Sequence, residues 1–123
     1  DAEAVALRAF ELVLLRELGW LPELNVVTAS AEPVQPERRY TLVAESGVVA
    51  DAEGATGATW VALQAALQHG SPAALRHACA GGNAALLRTP LRNLVHYHLS
   101  TAQLRTRRVG LQLQRLAALP QER

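Results

Sequence analysis

Four histidines and one cysteine are the side chains of this 123-residue chain best suited to hold a metal ion or attack a substrate. Their spacing argues against both roles. His96 and His98 lie two positions apart in a stretch of helical periodicity, roughly 200° around the axis, so one ion cannot take both. His77 and Cys79 stand in the same relation. His69 with His77 could chelate, but nothing nearby completes a site. Cys79 has no base at helical spacing and reads as a small core hydrophobe. The chain has no phosphate-binding glycine loop, no G-x-S-x-G elbow and no H-E-x-x-H pair. Gly54, Gly57, Gly81 and Gly82 read as ends of elements. No metal, no cofactor and no catalysis are expected.

Arginine carries the remaining chemistry. Up to Glu53, four arginines face ten carboxylates, a net −6. From Gly54 onward, eight arginines face only Glu122, a net +7. Halves of opposite sign suggest a basic face for an acidic partner. Arg8 stands out because it rises beside the apolar residues Leu12 and Leu15. Its plain reading is a snorkelling side chain paired to Glu11 one turn on. Its sharper reading is a cationic anchor beside a greasy groove, suited to a ligand both apolar and anionic.

The elements that must position these groups are mostly helices. Half of the residues are hydrophobic and only 4% aromatic, with Ala and Leu dominant. Leu7 to Leu24 is apolar on nearly every side: Leu7, Phe10, Leu14 and Leu18 form one face, and Val5, Leu12 and Leu15 another. Such a helix is expected at the centre of its domain. Gly19 should stop it, with Trp20 folding back and Pro22 blocking continuation. Asn25 to Pro36 reads as a loop, and Arg38 to Asp51 as a β-hairpin turning near Gly47. Ala52 to Ala55 reads as a second loop. Thr56 should cap a helix to about His69, ended by Gly70. Ser71-Pro72 should open a short helix through Cys79. After Gly81-Gly82, Asn83 should cap one further turn. Thr89-Pro90 should start a helix over Leu91–Leu99, and Ser100 to Arg105 should connect it to a last helix capped by Thr106. There Val109, Leu113 and Leu116 should face inward, with Arg108, Gln112 and Arg115 outward. The fold class is mainly α: a small helical bundle around a buried first helix, with one short β-hairpin.

One domain over residues 1–123 fits this length. No apolar run approaches the roughly 20 residues that span a bilayer. The chain lacks Met and begins without one, as expected of a piece of a longer protein. A single cysteine fits a reducing cytoplasm.

Three stretches, in order, resemble the C-terminal domain of RecO, a recombination mediator and DNA repair family. The first is Leu7-Arg8-x-Phe10-Glu11-Leu12-x-Leu14-Leu15 with Leu18-Gly19-Trp20. The second runs from Leu24 through Glu32-Pro33-Val34 to Gly47-Val48-Val49. The third is Leu91 to Leu99 followed by Leu104-Arg105-Thr106-Arg107. Many family members carry a four-cysteine zinc site in the region matching Asn25 to Asp51. Val26, Val27, Thr28 and Ser30 stand there instead, so the metal-free form is expected. The family's N-terminal OB-fold, an upstream nucleic-acid-binding domain, has no counterpart in this sequence.

The resemblance implies a non-enzymatic, cytoplasmic and nucleoid-associated protein. It implies binding to single- and double-stranded DNA, annealing, work with RecR, and docking of the acidic C-terminal tail of single-stranded-DNA-binding protein (SSB). Arg8, Leu12 and Leu15 are the candidate tail-binding residues. Arg88, Arg92, Arg105, Arg107, Arg108 and Arg115 are the candidate nucleic-acid contacts. An alternative is a sequence-specific helix-turn-helix module, with Leu91–Leu99 and Thr106–Leu116 as its two helices. A scaffold with no nucleic-acid role is the third reading.

Overall fold

The computed structural model describes residues 1–118. Helix α1 (Ala2–Glu17) starts where Asp1 accepts a hydrogen bond from the Glu3 amide at 3.0 Å. It ends as its glycine requires. Gly19 takes φ +75°, its amide donates to the Arg16 carbonyl, and the Trp20 amide reaches back to Leu15. This pair of bonds satisfies carbonyls that the helix end would otherwise orphan.

Strands β1 (Arg39–Val43) and β2 (Gly47–Ala50) form the expected hairpin, in register Leu42↔Val48. A third strand, β3 (Ala55–Thr56), pairs antiparallel with β1 on its other side, so the sheet order is β2-β1-β3. Ala55, expected as the end of a loop, is thus the start of a strand; two residues are too few for a period-two pattern to register in the sequence. Gly54 and Gly57 let the backbone close here, since a Cβ at either would lie within 2.1 Å of a backbone carbonyl oxygen.

Helix α2 (Gly57–His69) is capped by Thr56, and α3 (Pro72–Cys79) by Ser71, both as their sequences direct. One core joins all these elements. Leu12 and Leu15 of α1, Leu24, Val48, Trp60 and Leu63 of α2, and Cys79 are fully buried in it. Two of its polar groups are hydrogen-bonded: the Trp60 indole donates to the Tyr40 carbonyl at 3.0 Å, and the Leu24 amide donates to the buried Gln64 at 2.9 Å.

Two expectations fail. Helix α1 is not buried all round. The Leu12/Leu15 face is inside, whereas Leu7, Phe10, Leu14 and Leu18 are 38–62% exposed. The second failure concerns the C-terminal third, where Asn83–Ala118 is one 36-residue helix, α4. Pro90 lies inside it rather than starting a new one. Ala84, Leu87, Leu91 and Leu94 are buried on one stripe that runs through the proline, and this continuous burial outweighs the lost backbone bond. Nor is there a connection at Ser100–Arg105. Thr106 caps nothing: its hydroxyl donates back to the Ala102 carbonyl at 2.9 Å, as Thr101 does to Tyr97. Beyond Leu99 the helix leaves the core, and Val109, Leu113 and Leu116 are 53–65% exposed, not inward.

Candidate functional site

Arg8, Leu12 and Leu15 do come together, but inside. Leu12 and Leu15 have no exposed surface, and Arg8 is 4% exposed. The Arg8 Nε lies 2.6 Å from Glu11 Oε1, a charge contact whose angle makes no hydrogen bond. The pairing follows the plainer reading of Arg8, although its head lies under the surface rather than in water. These three side chains are core.

The surface hollow lies one face further round α1. A cavity of about 430 Å³ opens between α1, the end of α2 and the start of α3. Ala9, Phe10, Val13, Leu67 and Leu75 give it apolar walls, and the exposed Arg16, Arg76 and Glu17 also line it. Two guanidinium groups against one carboxylate leave the hollow cationic. Phe10, expected inside, is exposed, and Arg16 and Arg76 are site residues that helical periodicity alone does not single out. The available signal was the double apolar face of α1, since one core can bury only one side of a helix.

Cys79 sits near Arg8. Burial pushes its thiol up to about 11, and the Arg8 charge pulls weakly the other way. A thiol held protonated by the fold favours the folded state below the ordinary value and loses that advantage as pH rises. Stability should therefore fall between about pH 9 and 11, by up to ~1.4 kcal/mol per pH unit. Urea titrations across that window, with Cys79→Ala as the flat reference, check it.

All six candidate nucleic-acid arginines are exposed on α4. The single helix does not gather them on one face. At about 100° per residue, Arg105, Arg108 and Arg115 share a side of the projecting part, while Arg88 and Arg92 lie nearly opposite and beside the body. Arg107 falls between the two groups. The helix-turn-helix alternative is overturned here, because α4 passes without a turn through the residues that would have joined its two helices.

In the Asn25–Pro36 loop, Val26 pairs with Pro33, the Val27 amide donates to Glu32, and the Val48 amide donates to Thr28 Oγ1 at 2.9 Å. Valines and hydroxyls supply no thiolate or imidazole, so these residues do not fit zinc. Backbone bonds hold the loop instead. Among the described residues, no three His, Cys, Asp or Glu side chains gather for an ion, and no helix is long and apolar enough to cross a membrane.

The described residues form a helical bundle with one apolar, arginine-edged hollow and a projecting helix that carries exposed arginines. The chain is 48% identical over 122 residues to the DNA repair protein RecO of Variovorax paradoxus, covering 93% of this chain and 47% of that protein. RecO of Verminephrobacter eiseniae is 44% identical over 121 residues, and RecO of Polaromonas sp. JS666 is 42% identical over 122. No family profile matches the chain. No solved structure matches it either. The chain belongs to the RecO family, and it spans about half the length of the curated relatives it matches.

Proposed function

We propose that this chain is the C-terminal domain of a RecO-type DNA repair protein and acts by contact rather than catalysis. Its hollow takes the acidic, apolar C-terminal tail of SSB, and its α4 arginines hold DNA phosphates while RecR and the rest of the protein act in annealing. The observation that carries the first part is the pairing of apolar walls with Arg16 and Arg76 in one hollow. A guanidinium can grip a terminal carboxylate through two parallel hydrogen bonds, and Phe10, Val13 and Leu67 can receive the apolar side chains.

Fluorescence anisotropy with a labelled SSB-tail peptide tests the assignment. Arg16→Glu with Arg76→Glu should weaken binding at least tenfold, since charge-assisted bonds are worth roughly 1.5–3 kcal/mol each. Undiminished binding would move the tail elsewhere. Arg8→Met, if folded, should leave the affinity unchanged.

A further inference from the structure

Of the chain's one Phe, two Trp and two Tyr, only Tyr97 stands on α4, the helix that carries the candidate phosphate-binding arginines. Tyr40 and Trp60 are buried, and Phe10 lines the hollow. Tyr97 is 38% exposed, yet it is not a loose side chain. Its ring meets His98 edge to face, with centroids 5.2 Å apart and planes at 88°. The His98 imidazole in turn lies stacked on Trp20, at 4.9 Å and 11°. Trp20 is itself held: its amide reaches back to Leu15 at the Gly19 stop, and its half-buried side chain packs against the core. Three rings thus tie Tyr97 to the end of α1, at the point where α4 leaves the body.

The ring also stands in line with cations. At about 100° and 1.5 Å per residue, Tyr97 lies within roughly 20° of both Arg108 and Arg115 around α4, and roughly 16 Å and 27 Å before them along the axis. No carboxylate occurs between residues 54 and 118 to repel a phosphate from this side. Cations hold a backbone of any sequence, whereas an aromatic face takes a base only when that base is out of its pair. We propose, resting on the reading that α4 holds DNA phosphates, that Tyr97 is a stacking platform for an unpaired base of a single strand whose phosphates run along Arg108 and Arg115. At the roughly 3.4 Å per phosphate of a stacked strand, those spans are about five to eight nucleotides, an ordinary site size for single-strand binding. A ring already held by His98 and Trp20 loses little freedom when a base settles on it. Tyr97 is then the residue by which α4 tells an unpaired strand from a duplex.

Competition against one labelled probe, with the whole chain at low salt, tests this on three ligands about 12 nucleotides long: oligothymidylate, an abasic strand of equal charge, and a duplex. The wild type should bind oligothymidylate at least about fivefold more tightly than the abasic strand, the lower end of what one stacked base contributes. Tyr97→Ala should bring oligothymidylate down to the abasic level. It should leave the abasic strand, the duplex and the salt slope as they were, because stacking releases no counterions. Tyr97→Phe should keep the preference, since its π-face is intact. A wild type indifferent to the missing bases would overturn the proposal, and that comparison needs no variant to fold. So would a preference that survives Tyr97→Ala, or a loss equal on all three ligands, which would mean that the ring only props α4. Failure of the phosphate reading shows separately, as no binding at all or as an unchanged salt slope when Arg105, Arg108 and Arg115 together become Gln. That result would take the proposal down with the reading, whereas the others sink the proposal alone.

Discussion

Glu11→Ala is expected to destabilise the fold by about 3–5 kcal/mol, a large share of the stability of a small domain. Arg8 is 4% exposed, among fully buried neighbours Leu12 and Leu15, and Glu11 is its only salt-bridge partner among the described residues. Removing the carboxylate leaves a buried guanidinium, permanently charged, without compensation. Arg8→Met combined with Glu11→Leu should recover most of the loss, because the pair's own attraction is largely spent on desolvating both charges. Urea unfolding of Glu11→Ala, Arg8→Met, Glu11→Leu and the Arg8→Met/Glu11→Leu double variant measures the loss, and the last three with the wild type close the cycle. A Glu11→Ala loss below about 1 kcal/mol would mean that water reaches the pair, as at an exposed bridge. The result bears on function as well. An Arg8→Glu protein that fails to bind a tail peptide would have failed through its core, so binding assays need Arg16 and Arg76.

Why Arg8 could be mistaken for a surface anchor is a matter of what a helix period contains. The pattern of α1 shows two apolar faces, and only the arrangement of α2, α3 and α4 decides that Leu12 and Leu15 go inside while Phe10 and Leu14 stay out. Local signals were legible wherever their groups act locally. The Gly19 stop, the Thr56 cap and the Ser71-Pro72 start each satisfy backbone groups within a few residues of themselves. Thr89-Pro90 presents the same hydroxyl-then-proline pattern as Ser71-Pro72, yet it lies mid-helix because Leu87, Leu91 and Leu94 share one buried stripe. Thr106 failed as a cap for a related reason: a threonine hydroxyl satisfies its own helix as readily as it opens one. The hollow was illegible because its walls come from three helices distant in sequence, with Arg16 and Arg76 sixty residues apart.

Changing Arg105, Arg108 and Arg115 together to Gln should lower affinity for duplex DNA by two orders of magnitude or more at low salt, and flatten its salt dependence. Each phosphate contact releases condensed counterions and contributes roughly 0.9 to the slope of log affinity against log salt, so three lost contacts remove about 2.7. The three arginines share one side of α4 and span about 15 Å along its axis, a reach matched to successive phosphates of one backbone. Arg107 points off that side, and Arg88 and Arg92 lie nearly opposite it. Each of these three, changed alone to Gln, should therefore alter the slope by well under one contact if a single side of the helix meets the duplex. Equal losses at all six positions would instead mean that the nucleic acid wraps the helix, and an unchanged slope in the triple variant would remove α4 from DNA binding altogether. Sequence should matter little in any of these titrations, because a continuous exposed helix without a supporting first helix has nothing to hold it in one register of the major groove. A shuffled duplex binding as tightly as any other is what phosphate contacts predict.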